Sequence, residues 1–328
     1  MIKGIIFSGM RPTGRLHIGH LSVLENWVKL QDEYKCFFGI VDWHALTTAF
    51  EDTSELQDNV RRMLLDWLSV GLDPEKSSIF VQSHIKQHGE LHLLLSMITP
   101  LSWLERVPTF KDQVQQLGEQ GKDISTYGFL GYPLLMAADI LIYRADTVPV
   151  GEDQIPHLEF AREIARRFNR IYNVELFPEP KAKIAKIAML PGVDGRKMSK
   201  SYNNDIHLAS TPEEIWEKVQ MMVTDPQRIR KTDLGNPDVC MVHTYHKFYN
   251  LSEVEEIRTS CQSGKIGCVQ CKKNLAKVLD DMLAPIRQRR EEYSAKPELL
   301  REVLEDGAQK ARQASEETME LVRKAMNI

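Results

Sequence analysis

Ser8-Gly9-Met10-Arg11-Pro12-Thr13-Gly14-Arg15-Leu16-His17-Ile18-Gly19-His20 follows directly on the apolar run Ile5-Ile6-Phe7 and leads into a helical pattern. The order reads as strand, anion-facing loop, helix. A chain leaving a parallel strand through Gly and Pro exposes backbone N–H groups at a helix N-terminus, where those donors and the helix dipole favour an anion. His17 and His20, three apart, are expected to share one face of the first helical turn. Gly19 between them puts no side chain in the way of a flat ligand laid across the turn. The stretch predicts a nucleotide loop, although two histidines at this spacing are by themselves a common surface or core pattern.

The rest of the first half repeats the theme. Cys36-Phe37-Phe38-Gly39-Ile40-Val41 is a continuous apolar run ending at Asp42, the pattern of a strand buried on both faces. From Thr53 the period changes, with Val60, Met63, Leu64, Trp67 and Leu68 at helical spacing and Gly71 in the C-cap place. Ile79-Phe80-Val81 and Thr147-Val148-Pro149-Val150 read as further strands, and Gly151-Glu152-Asp153-Gln154 opens another long helix. Such alternation implies βαβ units in an α/β, Rossmann-like parallel sheet, with ligands beyond the carboxyl ends of the strands. His44, two residues past Asp42, occupies such an end.

Residues 128–143 are apolar with helical spacing, and Tyr132, Met136 and Asp139 fall on one face. Asp139 stands amid Leu134, Leu135, Ala137, Ala138, Ile140 and Leu141. A carboxylate there is desolvated and requires a donor partner. Residues 113–123 are polar with two glycines and read as a loop. Between Phe177 and Ser201 the composition shifts to Pro, Lys and Gly, ending in the cationic segment Gly195-Arg196-Lys197-Met198-Ser199-Lys200-Ser201. Beyond it the pattern is almost wholly helical.

The chain has 328 residues, 42% of them hydrophobic, and a formal charge of −4, which excludes a uniformly basic nucleic-acid coat. Local basic groups exist nonetheless: Arg162, Arg166, Arg167 and Arg170; Arg228, Arg230 and Lys231; Arg287, Arg289 and Arg290. No apolar run approaches the roughly 18 residues that span a bilayer, and the N-terminus has no secretory pattern, so a cytoplasmic protein is expected. Five cysteines in such a chain favour metal or catalytic use over disulfides. Cys36 sits in a strand, whereas Cys240, Cys261, Cys268 and Cys271 supply four thiolates, enough for Zn²⁺ or a [4Fe–4S] cluster. Spacing alone does not choose between them.

His17-Ile18-Gly19-His20 together with Lys197-Met198-Ser199-Lys200-Ser201 resembles the two signatures of the class I aminoacyl-tRNA synthetases. Gly131 to Asp139, followed by Val148 to Gln154, resembles the bacterial tryptophanyl family within that class, and the resemblance covers essentially the whole chain. The tyrosyl family is the alternative, since its equivalent helix keeps the Tyr and Asp spacing but places Gln where this chain has Met136. A thioether suits an aromatic edge. An indole N–H is a donor only and Asp139 an acceptor only, so the two match. A synthetase-like RNA-binding or regulatory protein without aminoacylation is the alternative from another class.

The resemblance implies tryptophan activation by ATP and transfer to tRNA(Trp), with Mg²⁺ on the triphosphate and a homodimeric enzyme. It assigns Phe7, Val148 and Val150 to walls around the indole, Met136 and Asp139 to its recognition, and Tyr132 and Gln154 to the α-ammonium and carboxylate. Gly19, His20, Met198 and the backbone near Ala188 or Met189 fall to the adenine, and Gly151, Glu152 and Asp153 to the ribose side. His17, His20, Lys111, Lys197 and Lys200 are the implied catalytic residues facing phosphate, beside Arg11, Pro12, Thr13, Ser199 and Ser201. Arg11 departs from relatives that have Gln there. A subset of the family has a similar four-cysteine pattern and binds [4Fe–4S], which favours that cluster at Cys240, Cys261, Cys268 and Cys271, with Zn²⁺ as the alternative. Lys272 and Lys273 beside the last ligand suit RNA phosphates. The implied organisation is a catalytic domain over 1–203, a helical anticodon-binding domain over 204–292, and a last helix over 293–328 packing back on the first.

Overall fold

Phe37 and Phe38 point to opposite sides of strand β2 (Lys35–Ile40), and that alternation sets the layers of the molecule. Cys36, Phe38 and Ile40 join a hydrophobic cluster with Ile6, Trp27 and Trp67 on one side of the sheet. Phe37 packs with Phe7, Phe80 and Leu134 on the other. The computed structural model describes residues 2–107, 124–184, 190–198, 202–230 and 232–328. Among them β2 is joined by β1 (Ile5–Met10), β3 (Ser77–Val81), β4 (Thr147–Val150) and β5 (Lys181–Ile184) in the order β3-β2-β1-β4-β5. Every pairing is parallel. Strand β5 lies in the Pro- and Lys-rich stretch that the sequence does not mark as a strand, because its alternation, Lys181-Ala182-Lys183-Ile184, is only four residues long and offers one small and one large apolar side chain.

The connecting helices are α1 (Leu21–Leu30), α2 (Asp42–Ala49), α3 (Leu56–Val70), α4 (Gln87–Ser96), α5 (Leu101–Leu104), α6 (Tyr127–Leu130), α7 (Tyr132–Leu141) and α8 (Ile155–Tyr172). Gly71, at φ +122°, ends α3 in the conformation that its position requires. The single helix expected over 128–143 is two, divided at Gly131, with Pro133 in the first turn of α7 where its missing N–H costs nothing. Helix α2, which begins at Asp42 immediately after β2, is a turn of structure the sequence pattern does not announce.

Beyond the sheet come α9 (Pro212–Met221), α10 (Met241–Tyr249), α11 (Val254–Gln262), α12 (Cys268–Ser294) and α13 (Pro297–Met326). One hydrophobic cluster continues from β1 and β2 through α3 to Leu275, Leu279 and Leu283 of α12. Helix α13 returns to the sheet and lies on β3 so closely that a Cβ at Gly307 would stand 1.8 Å from the Ile79 carbonyl oxygen. Only glycine permits that approach. Arg323 of α13 closes the contact with two 2.7 Å bonds to Glu90 of α4. No helix among the described residues is long and apolar enough to cross a membrane.

Candidate active site

The order β3-β2-β1-β4-β5 reverses direction between β1 and β4, where the connections leave to opposite faces and a crevice opens at the carboxyl ends. A cavity of about 360 Å³ occupies that place. Phe7 and Arg11 enter it from β1 and the turn after it, Val148, Val150 and Gly151 from β4, and Tyr132, Met136 and Asp139 from one face of α7. Gln154, His44, Thr47 and His157 complete the wall. The residues assigned to tryptophan from the sequence are thus gathered around one space. Tyr132 Oη is 3.2 Å from His157 Nε2, which orients the phenol, and the Gln154 amide donates to Asp153 Oδ2 at 2.8 Å. Glu152 and Asp153 themselves are exposed in a short 3-10 turn at the rim.

Asp139 is 1% exposed and has the donors that its burial demands. Gln82 Nε2 lies 2.8 Å from both carboxylate oxygens, His88 Nδ1 lies 2.6 Å from Oδ1, and His44 Nε2 lies 3.1 Å from Oδ2. Burial opposes the charge, but the interactions with His88 and His44 outweigh it and hold the pKa down to about 2. The result is a desolvated anion facing an otherwise largely apolar space. Gln82, His88 and Tyr143 are functional candidates that the sequence reading missed. Gln82 follows β3 directly, the place where parallel strands present ligand groups, and Tyr143 is one turn beyond Asp139 on the same face; those were the available signals.

The two signatures meet although they are far apart in sequence. Residues 206–208 run beside 16–18, with Ile18 N–H donating to Ile206 O at 2.9 Å and Leu208 N–H to Leu16 O at 3.0 Å. A Cβ at Gly19 would stand 3.4 Å from Met198 Sδ and 2.9 Å from His17 Nδ1, so the glycine lets all three pack together. His17 is the N-cap of a 3-10 turn (Ile18–His20) and not part of α1, a correction to the expected helical face. Gly19 N–H donates to His17 Nδ1 and His17 N–H to His20 Nδ1, each at 3.2 Å. With Nδ1 accepting, each neutral ring has its hydrogen on Nε2 and is a donor there. Lys197 is exposed, and its carbonyl is held by buried Asn204 at 3.1 Å. Pro12 is buried and Thr13 exposed in the turn after β1. Lys111, Ala188, Met189, Ser199, Lys200 and Ser201, with the loop at 113–123, lie outside the described residues.

A family model described as tRNA synthetases class I (W and Y) matches residues 3–284. The tryptophan–tRNA ligase of Thermotoga maritima is 52% identical, covering 98% of this chain and 99% of its own length. That of Aquifex aeolicus is 45% identical with coverage of 98% and 99%. The chain belongs to the bacterial tryptophan–tRNA ligases of class I. The crystal structure of tryptophanyl-tRNA synthetase from Campylobacter jejuni complexed with ADP and tryptophan has the same fold, with a TM-score of 0.89 at 33% identity, over 99% of this chain and 100% of that one.

In this ligase the four late cysteines come from the start of α10, from α11 and from the first turn of α12. All are free thiols. Burial pushes Cys271 up to about 12, with the charges of Cys240, Cys261 and Cys268 adding to it, so the four sense one another. Arg228 Nη1 lies 3.7 Å from Cys261 Sγ and 3.9 Å from Cys268 Sγ. Among the described residues no group of three or more metal-ligating side chains is arranged to hold a metal ion, so the expected ligand set is not a formed site. The basic groups also turn inward: Arg162, Arg167, Arg228, Arg287 and Arg289 all donate to backbone carbonyls of this chain. Lys272, expected to suit RNA phosphate, donates to Gln220 O at 2.7 Å, because α12 packs beside α9 there.

Proposed function

We propose that the cavity between β1, β4 and α7 takes L-tryptophan with its indole N–H on Asp139, and that the surface formed where Gly19 meets Met198 takes the adenine of ATP. The observation that carries this reading is a buried carboxylate, ionised and acceptor-only, set in a largely apolar cavity. An indole supplies one further donor and an aromatic surface for Phe7, Met136, Val148 and Val150. Tyr132 and Gln154 serve the ammonium and carboxylate. A phenylalanine ring leaves Asp139 without a further donor, and a charge-assisted bond of this kind contributes about 1.5–3 kcal/mol. The bound ADP and tryptophan of the Campylobacter jejuni protein support the same pairing of ligands.

The tryptophan carboxylate oxygen bonds to the α-phosphorus of ATP while the bond to the β-phosphate oxygen breaks, giving tryptophanyl-adenylate and pyrophosphate. A hydroxyl at the tRNA(Trp) 3′ end then attacks the acyl carbon, and AMP leaves. Such chemistry asks a protein for positioning and for donors aimed at developing charge. His17 and His20, as Nε2–H donors, and Lys197 supply these on the described side; Lys111, Lys200, Ser199 and Ser201 are assigned to the same phosphates, Ala188 and Met189 to the adenine, and Gly151, Glu152 and Asp153 to the ribose side. Arg11, Pro12 and Thr13 form the loop wall. Mg²⁺ rides on the triphosphate. Pyrophosphate exchange with each standard amino acid tests the reading: tryptophan alone should support it, and exchange with tyrosine but not tryptophan overturns the assignment of Met136 and Asp139.

Cys240, Cys261, Cys268 and Cys271 are proposed to hold a [4Fe–4S] cluster that orders the junction of α10, α11 and α12, a structural role. The four thiols lie close enough to influence one another's ionisation, which supports a single group shared between them. Iron and acid-labile sulfide in anaerobically purified protein check it; stoichiometric zinc without iron refutes it. We further propose a division into a catalytic unit at 1–203, an anticodon-binding unit at 204–292 and a returning helix at 293–328, in a cytoplasmic homodimer. Leu93 of α4, Met97 just past its end and Leu101 at the start of α5, all exposed, support a self-association surface there. Met97→Glu should shift the mass measured by light scattering towards that of a monomer.

A further inference from the structure

The carboxylate of Asp139 is braced from the side away from the cavity. His88 does not line the cavity and is 0% exposed, yet its Nδ1 lies 2.6 Å from Asp139 Oδ1. A carboxylate offers only lone pairs, so a hydrogen sits on Nδ1, and Nε2 is turned to the other neighbour of the ring. The neighbour is the Tyr143 hydroxyl, 2.7 Å away. A phenol hydroxyl can donate or accept, so it partners Nε2 whichever of the two carries the hydrogen. Tyr143, His88 and Asp139 therefore form one hydrogen-bonded chain, with His88 Nδ1 donating to the carboxylate.

Neither ring has room to turn. Tyr143 stacks on Phe37 at 4.3 Å and on Phe7 at 5.7 Å, and His88 packs against Phe80 at 6.0 Å. Those phenylalanines belong to β1, β2 and β3, so the brace is anchored in the sheet itself. The other carboxylate oxygen, Oδ2, is the one shared with His44, which does line the cavity. Fixing Oδ1 from below determines which way Oδ2 faces.

We propose that His88, backed by Tyr143, is a positioning residue for tryptophan selection: it holds Asp139 Oδ1 so that Oδ2 is presented to the indole N–H. This rests on Asp139 being the indole acceptor. A merely structural histidine would support both the fold and every ligand equally. A positioning histidine supports ligands that have the N–H and is indifferent to those that lack it.

The test compares binding of L-tryptophan with that of its benzothiophene isostere, in which sulfur replaces the N–H, using calorimetry on the full-length enzyme. If the unaltered enzyme binds both equally, the Asp139 reading itself fails, whatever His88 does. If it prefers tryptophan, His88→Leu should reduce that preference about tenfold, the size expected from losing one hydrogen bond to a charged group. His88→Asn, whose amide nitrogen stands in for Nδ1, should retain most of it. Tyr143→Phe removes one oxygen and leaves the stacked ring in place, so it should fold even where His88→Leu does not, and should reduce the preference severalfold. An unchanged preference in Tyr143→Phe, or equal weakening of both ligands in His88→Leu and His88→Asn, overturns the proposal.

Discussion

Asp139 is 1% exposed and surrounded by donors from β3's end, α2 and α4, whereas Lys197, in the segment proposed to meet ATP, is exposed at the end of a tight turn. The two charges serve different ends. Recognition of one N–H needs an acceptor that is already desolvated and already oriented, since a hydrated carboxylate discriminates weakly. A triphosphate brings its own charge and is met by cations at the surface, so burial of the lysine before ATP arrives would be a cost without a gain. The proposed amino-acid side is accordingly built into the sheet, and the proposed nucleotide side is assembled from two segments that touch at Gly19 and Met198.

That contrast can be broken most severely at Lys197. Lys197→Ala should slow adenylate formation by roughly 10²–10³-fold, the loss typical of one well-aimed donor, while leaving the tryptophan Kd unchanged. Stopped-flow rates beside equilibrium binding would show it, and normal pyrophosphate exchange would contradict the assignment. Asp139→Asn should do the reverse, raising the tryptophan Kd roughly 10- to 150-fold with ATP affinity intact. Equal damage to both affinities would mean that the two sides are not separable.

A smaller effect is expected from Gly19→Ala. Its Cβ would crowd His17 Nδ1 at 2.9 Å and Met198 Sδ at 3.4 Å. The KM for ATP should rise severalfold with that for tryptophan unaltered, as measured by exchange kinetics. The smallest change is expected from pH. The folded pKa of Asp139 is depressed from 3.8 to about 2, so the stabilisation from its ionised form is complete above the unfolded value and is lost as pH falls through the folded one. Tryptophan affinity measured from about pH 8 down to about pH 5 should therefore show no titration of this group. A midpoint in that window that vanishes in Asp139→Asn would sharpen the comparison against a preformed anion.

Much of the architecture was legible because it rests on local periodicity. The runs at Ile5-Ile6-Phe7, at Cys36 to Val41 and at Thr147 to Val150 mark strands β1, β2 and β4, and the helical spacing after Thr53 marks α3. Strand β5 is not legible, since four residues alternating Lys, Ala, Lys and Ile are too short a run to stand out from the surrounding Pro- and Lys-rich stretch. His17 was placed on a helix but caps a 3-10 turn, a difference of backbone geometry that residue spacing does not encode. The cysteine spacing named four candidate ligands without fixing how their sulfurs stand to one another.

By itself the sequence determined the strand, loop and helix order, the two signatures and the placement of Met136 and Asp139 on one helix face. These are short-range patterns, and side-chain chemistry such as an acceptor-only carboxylate belongs to the residue wherever it stands. The tertiary structure decided that Gln82, His88 and His44 converge on Asp139, that Gly19 meets Met198, and that Gly307 lets α13 lie on the backbone of β3. Each of those contacts joins segments distant in the chain, and it is set by the packing of whole elements against one another, which no local pattern contains.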